Sequence, residues 1–164
     1  EAVTMLQEKL CFQDGTMHHA NLDGANLKNA RLASADLRYI SLKNGILDAA
    51  YLGNTNLTEA DLSGTSFKDA NMRDVILKQA QLTGTIFTGA HMAMAHLHQA
   101  NLKQAQLTGA NLWGAKLHGA DLTGADLTGA NLDRIECDTD TILPDGSYWS
   151  PDIDLTKFTT NGNE

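Results

Sequence analysis

The sequence predicts an all-β solenoid, and three observations support this prediction. A large apolar residue stands at every fifth position from Phe12 to Leu132, and the series ends at Cys137. A small residue, usually alanine, stands two positions before each large one, and glycine, asparagine and aspartate are frequent at the remaining positions. A period of five matches neither the 3.6-residue period of a helix nor the two-residue period of a strand. The chain is therefore expected to turn once in every repeat.

Each five-residue repeat has the pattern of a short extended segment followed by a tight turn. The large and small residues lie two apart, so both side chains point to the same side of an extended backbone. The turn positions include Gly109, Gly114 and Gly119, each of which would cost about 1 kcal/mol in a helix. Stacked turns can pair from coil to coil at about 4.8 Å. Because one repeat cannot bury its apolar side alone, many coils must stack to form a core.

Three runs carry a resemblance to a known family: ANLDGANL at 20–27, and ADLTG at 120–124 and again at 125–129. They resemble the A(D/N)LXX consensus of pentapeptide repeat proteins. The resemblance implies a right-handed quadrilateral β-helix with four repeats per coil, hence about six to seven coils over residues 12–137. The residue before the large one departs from Asn or Asp at several repeats, among them Ile46, Tyr51, Ile76, Ile86, His91 and His96.

The flanking segments are predicted to cap the two ends of the solenoid. Residues 1–11 lack the five-residue pattern and carry apolar residues at helical spacing, which predicts a short helical cap. Residues 138–164 are predicted to form an irregular cap and tail, with a turn at 144–146 and with Tyr148, Trp149 and Phe158 available to cover the last coil. The stretch 141–149 is similar to tails of cyanobacterial members of the family.

A spacing of 20 residues also predicts which side chains stack inside the helix. Phe67 is expected to lie over Phe87, with Thr65 over Thr85 beside them. Stacked aromatic pairs add about 0.5–1.5 kcal/mol beyond the burial of their area.

The charge distribution bears on one activity proposed for members of this family, which is to mimic DNA and inhibit type II topoisomerases. The chain has a net charge of −8. From Asp133 onward it has eight acidic and two basic residues, whereas between Phe12 and Leu132 it has ten acidic and nine basic residues. The predicted rod is nearly neutral, so the sequence does not favour a continuous acidic stripe.

Two sets of outward residues are candidate contacts. One column leans basic and is either a solvated face or a strip that binds an anion or a partner; its members are Arg38, Thr58, Lys78, His98 and His118. A second face carries Tyr51, Met94 and Trp113. Exposed aromatic and methionine side chains often mark protein contacts. The alternative is that Trp113 lies flat on its own coil or meets a residue of the tail.

No catalytic, metal or cofactor motif is present in the sequence. It contains no Gly-rich phosphate loop, GxSxG or HExxH. His98 and His118 fall one coil apart, but parallel side chains on a flat face do not converge as zinc requires. Cys11 and Cys137 fall at opposite ends of the rod, too far apart for a disulfide. Cys137 is expected to point inward and to be inert, whereas Cys11 is either reactive or able to bridge two molecules.

These observations predict a non-catalytic scaffold that presents rigid side-chain columns to an unidentified protein. The alternative is a DNA-mimic modulator of a type II topoisomerase such as gyrase. We expect no direct contact with nucleic acid or membrane, no cofactor, and a monomer or weak homodimer. No signal-peptide pattern or long apolar run is present, which favours the cytoplasm. Periplasm or thylakoid lumen is the alternative if a signal segment preceded Glu1.

Overall fold

The computed structural model describes residues 14–160, which form a parallel β-helix. Single parallel bridges join residues 20 apart, from Asn21↔Ser41 to Lys116↔Glu136. The one helix in the described range is a 3₁₀-helix at Leu155–Phe158. The predicted helical cap at 1–11, with Cys11, lies outside the described residues. No helix within 14–160 has the length and hydropathy needed to cross a bilayer.

Each repeat closes with a tight turn between its large residue and the small residue of the next repeat. The Ala110 amide, for example, donates to the Leu107 carbonyl at 2.9 Å. The second turn residue has a positive φ in every repeat from His19 (φ 60) to Arg134 (φ 59). A positive φ at this position is the mark of a type II turn and favours glycine and asparagine. This backbone requirement explains why these residues recur at five-residue intervals.

The polar residue before the large one stabilises the turn through a side-chain hydrogen bond to its backbone. The Asn111 side-chain oxygen accepts from the Trp113 amide at 3.1 Å, and the Asp121 carboxylate accepts from the Thr123 amide at 3.0 Å. Asn and Asp favour such bonds to the backbone two residues on. The Asn/Asp preference is therefore a consequence of turn chemistry, which Ile46 and Tyr51 cannot supply.

Three amides of each repeat bind the neighbouring coils. In one repeat, Gln81 donates to the Ala60 carbonyl at 2.9 Å, while Leu82 and Gly84 donate forward to Asn101 and Lys103, both at 2.8 Å. A fourth amide closes the turn. Most backbone donors are thus satisfied within the stack.

The core confirms the predicted stacking. Phe67 and Phe87 are fully buried, with ring centroids 5.3 Å apart and an interplanar angle of 9°. Thr65 and Thr85 are also buried, and their hydroxyls donate to the carbonyls of Leu42 (2.6 Å) and Leu62 (2.9 Å). The buried hydroxyls therefore have acceptors, as a stable core requires.

The 20-residue register changes near the C-terminal end. The sequence pattern ends at Cys137, but the stacked path continues because Asp121 bridges Ile142, 21 residues later. The extra residue is accommodated between Asp138 and Thr141. There the Asp138 carboxylate accepts from the Gly119 amide at 2.8 Å, and the Thr141 hydroxyl donates to the Leu117 carbonyl at 2.9 Å.

The tail then folds back over the last coil. Ile142 pairs antiparallel with Tyr148, and the predicted turn lies between them, with the Gly146 amide donating to the Leu143 carbonyl at 2.9 Å. The Gly129 amide donates to the Thr159 carbonyl at 2.7 Å. Phe158 packs against the core, whereas Tyr148 remains 64% exposed.

Candidate functional site

The two sets of candidate contacts lie on adjacent faces of the β-helix. The surface around Trp113 is called the tryptophan patch and is defined as Ala93, Met94, Trp113 and Arg134. The surface around the basic column is called the histidine groove. It is lined by Lys78, His98, Gln99, His118, Gly119, Asp138 and Asp140. Both are built from turn residues, whose backbone is fixed by the coil-to-coil bonds.

The tryptophan patch is centred on a partly exposed indole. Trp113 is 38% exposed, and the Arg134 guanidinium lies 5.6 Å from its ring centroid, within cation–π distance. Met94 pairs with Trp113 through a backbone bond of 2.8 Å. A Cβ on Gly114 would lie 2.6 Å from the Met94 sulfur, so the methionine covers this glycine. The patch thus combines an aromatic, a thioether and a cation on a fixed backbone.

Tyr51 shares the face of the tryptophan patch but does not join it. Its side chain is 53% exposed. The 20-residue register places it three coils from Asn111, or about 14 Å at the spacing of paired strands. Of the three predicted contact residues on this face, Met94 and Trp113 are neighbours.

The histidine groove brings together three residues of the predicted basic column. The His98 and His118 rings stack with centroids 5.2 Å apart and an interplanar angle of 14°. His96 meets His98 edge-on at 6.0 Å. Lys78 lines the same groove, which has a volume of about 430 Å³. Asp138 and Asp140 close its C-terminal side.

Burial and neighbouring positive charge favour the neutral imidazoles of His98 and His96. Burial lowers the pKa of His98, and the nearby His118 and Lys78 lower it further. Burial, Lys116 and Lys78 similarly lower the pKa of His96.

For Asp138 the surroundings favour the charged form of the side chain. Burial raises its pKa, but bonds from the Gly119 and Asp140 amides outweigh this, so the pKa of Asp138 lies below its usual value. The groove therefore carries an ionised carboxylate near the His98 imidazole, whose neutral form is favoured.

Arg38 lies in the same column as Lys78 but is engaged elsewhere. Its guanidinium makes two 2.8 Å hydrogen bonds to the Asp36 carboxylate, and His18 Nε2 lies 2.9 Å from the same carboxylate. Thr58, between Arg38 and Lys78, bonds the Asn56 side chain at 2.7 Å. The structure thus separates Arg38 from the other three strip residues.

Sequence reasoning missed four residues of these candidate surfaces: Gln99 and Gly119, which directly follow His98 and His118, and the charged Arg134 and Asp140. Arg134 follows Gly114 by 20 residues, so the register alone places it beside Trp113. Asp140 had no comparable signal, because the extra residue after Cys137 shifts its position. Among residues 14–160, no group of three or more His, Cys, Asp or Glu side chains is arranged to hold a metal ion.

Cys137 lies half-buried against the core, and burial together with Asp138 raises the pKa of its thiol to about 11. We expect Cys137 in a Cys11→Ser variant to react with DTNB at pH 8 about 10- to 100-fold more slowly than glutathione, because the thiolate is the nucleophile. Urea should remove the difference. A rate equal to that of glutathione in the folded protein would contradict the inward placement.

Comparison with known proteins identifies the family. The model of pentapeptide repeats matches residues 16–48, 50–89 and 95–134, in eight copies. The chain therefore belongs to the pentapeptide repeat family, whose fold is a right-handed β-helix. Members of the family are generally structural or interaction modules rather than enzymes. No curated protein sequence matches the chain.

Several solved structures are similar to this chain. The pentapeptide repeat protein Rfr23 from the cyanobacterium Cyanothece 51142 is 28% identical, with 85% of this chain and 95% of that chain covered and a TM-score of 0.48. A pentapeptide repeat protein from the Arabidopsis thaliana thylakoid lumen is 26% identical, with 72% of each chain covered and a TM-score of 0.33. Full-length QnrB1, a plasmid-mediated fluoroquinolone resistance protein, is 16% identical, with 88% of this chain and 89% of that chain covered and a TM-score of 0.43.

Proposed function

We propose that this protein is a non-catalytic scaffold that binds a protein partner through the tryptophan patch. The observation that carries the proposal is the exposed Trp113 indole beside the Arg134 guanidinium, next to the turn glycine that the Met94 side chain covers. Tryptophan and arginine are the residue types that most often dominate binding energy at protein interfaces. The partner that fits is a protein surface with an apolar side chain for the indole and a carboxylate for Arg134.

The backbone beneath the patch supports this proposal. Met94 and Arg134 occupy left-handed turn positions (φ 61 and φ 59), and the Met94 amide is bonded to the next coil. A surface fixed in this way loses little conformational entropy when a partner binds. The β-helix can therefore hold a small apolar contact in place without a pocket.

The alternative function, a DNA mimic acting on a type II topoisomerase, needs a row of uncompensated carboxylates along the rod. Several carboxylates of the coils are instead paired with cations: Asp36 with Arg38, Asp61 with Lys43 and Asp121 with Lys103, at 2.8–3.1 Å. Together with the nearly equal acid and base counts of the rod, these pairs weigh against mimicry of a phosphate backbone.

The test is affinity capture from a lysate of the source organism with three proteins: wild type, a Trp113→Ala/Met94→Ala variant, and Tyr148→Ala. Tyr148 is the matched control, because it is an exposed aromatic outside the patch. We expect a partner that wild type and Tyr148→Ala retain and that the double variant binds about tenfold more weakly or not at all.

A gyrase supercoiling assay run beside the capture separates the two functions. No effect of the wild-type protein on supercoiling is expected from the scaffold. Inhibition at stoichiometric protein, unchanged in the Trp113→Ala/Met94→Ala variant, would instead favour the DNA mimic and would overturn the proposal.

A further inference from the structure

The last coil presents an unpaired strand edge at the C-terminal end of the β-helix. The Ala130 carbonyl and the amides of Leu132 and Arg134 have no hydrogen-bond partner among the described residues. The equivalent groups of the coil before it all bond to the last coil at 2.9 Å; they belong to Ala110, Leu112 and Gly114. An unpaired strand edge is a template on which another strand can pair.

A cleft of about 380 Å³ lies beside this edge, between the last coil and the tail. Residues 130–133 line one side of it, and residues 153–156 with Thr159 line the other. Leu132 packs against the core but is only half-buried, whereas Leu112 in the coil before is 1% exposed. The cleft is thus the position that a strand of a further coil would occupy, and an apolar side chain placed there would complete the burial of Leu132.

The cleft has an excess of negative charge. The Asp133 carboxylate is exposed in it and forms no ion pair with another described residue. Asp154 also lines the cleft and caps the 3₁₀-helix. The neighbouring cations have other contacts: Arg134 lies over the indole of the tryptophan patch, and Lys157 pairs with Asp145 at 2.9 Å. The cleft is therefore complementary to a basic segment.

The β-helix itself shows which strand fits such an edge, because Asp23 has the same position in its repeat as Asp133. The two repeats are ANLDG and ANLDR. The Asp23 carboxylate accepts from the Ser41 hydroxyl at 2.6 Å and from the Lys43 amide at 2.9 Å, one coil later. A carboxylate at this position thus binds a serine and a lysine of the strand that covers it.

Asp48 is a second example of the same contact. Its carboxylate accepts from the Ser66 hydroxyl at 2.5 Å and from the Lys68 amide at 3.2 Å. Phe67 stands between the serine and the lysine and is fully buried. In both examples the covering strand has the sequence serine, buried apolar residue, lysine: SLK at 41–43 and SFK at 66–68.

We propose that the cleft binds an extended serine–apolar–lysine segment of a protein partner, which adds to the edge as a parallel strand. By the pattern of the earlier coils, its serine amide donates to the Ala130 carbonyl, and its serine and lysine carbonyls accept from the Leu132 and Arg134 amides. The serine hydroxyl and the lysine amide bind the Asp133 carboxylate, and the apolar residue covers Leu132. This contact goes beyond the tryptophan patch and does not depend on it.

Fluorescence anisotropy with the fluorescein-labelled peptide YISLKNG, the sequence of residues 39–45, tests the proposal on the full chain. We expect saturable binding. Methylation of the peptide's serine amide removes the donor to Ala130 and should weaken binding about tenfold. Methylation of its leucine amide should have little effect, because the Leu42 amide points to the following coil, where it donates to Asp61 at 2.9 Å. This pair of peptides separates strand pairing from attraction between charges.

Asp133→Asn should weaken binding about tenfold, since hydrogen bonds to a carboxylate are stronger than those to a neutral amide. Asp140→Asn is the matched control. It removes the same charge from an exposed aspartate outside the cleft, so the affinity should be unchanged. Trp113→Ala should also have no effect. Circular dichroism establishes that each variant is folded.

Three results would each overturn the proposal: no saturable binding of YISLKNG, equal binding of the parent and serine-methylated peptides, or equal losses in Asp133→Asn and Asp140→Asn. Analytical ultracentrifugation adds a fourth. A dimer of the protein that excess peptide fails to dissociate would show that a second copy, and not a partner segment, covers the edge.

Discussion

The Phe67→Ala variant is expected to lose about 3–5 kcal/mol of the free energy of unfolding. Phe67 is fully buried and stacks on Phe87 with ring centroids 5.3 Å apart. Alanine removes the ring and leaves a cavity in a narrow core, whose walls are held at the coil spacing by backbone bonds. Such walls cannot collapse into the space, so the cost should lie at the upper part of this range.

Urea denaturation followed by far-ultraviolet circular dichroism measures this loss. Phe67→Leu is the control. It keeps a large apolar side chain in the core, so the free energy of unfolding should fall by less than about 2 kcal/mol. The Phe67→Leu, Phe87→Leu and double variants together form a double-mutant cycle, whose coupling energy for the stacked pair is expected to be about 0.5–1.5 kcal/mol. Equal costs for Phe67→Ala and Phe67→Leu would show that the core fills the cavity.

The fold was predictable because alternation within each repeat is repeated so many times. A large and a small residue two apart fix which side of the backbone is buried, and the burial of Leu62 and Ala60 follows this rule. The number of repeats per coil does not follow from the five-residue period, because coils of three, four or five repeats would bury the same residues of each repeat. The resemblance to the family supplied the 20-residue coil, and from it came the stacking of Phe67 on Phe87.

The sites were predictable only in part, for two physical reasons. The register placed His98 over His118 and Trp113 beside Met94, because side-chain columns follow from residue numbers once the coil length is 20 residues. It did not show that Asp36 would bind Arg38, because that pair lies within a single repeat, on either side of the buried Leu37. It also failed beyond Cys137, where the extra residue moves Asp140 into the groove.

A deletion of Gln104 is expected to destabilise the protein more than a deletion of the whole repeat 103–107. In the turn, the Ala105 amide donates to the Leu102 carbonyl at 3.0 Å, and Gln104 holds the left-handed position (φ 56). Removing Gln104 leaves one residue where two are needed to close the turn. The alternative is a shift by one residue, which turns every later inward side chain outward.

The loss of stability expected for the single deletion depends on the buried leucines that follow residue 104. Leu107, Leu112 and Leu117 are each no more than 2% exposed, and each gains about 1.5–3 kcal/mol from burial. Exposing three such residues costs about 4.5–9 kcal/mol, which is comparable with the whole stability of a small domain. We therefore expect the coils after residue 102 to unfold, detected as loss of amide hydrogen-exchange protection there.

Deletion of 103–107 keeps the alternation, because Leu102 is then followed by Thr108, Gly109 and Ala110, which form the same kind of turn. One buried leucine and one buried alanine are lost, at about 2–4 kcal/mol, and the fold should persist. Every later side-chain column moves by one face of the β-helix, so His118 no longer stacks on His98 although the protein is folded. If the single deletion were instead the milder of the two, the register would be set by local turns that adapt in length, and not by the five-residue alternation of buried side chains.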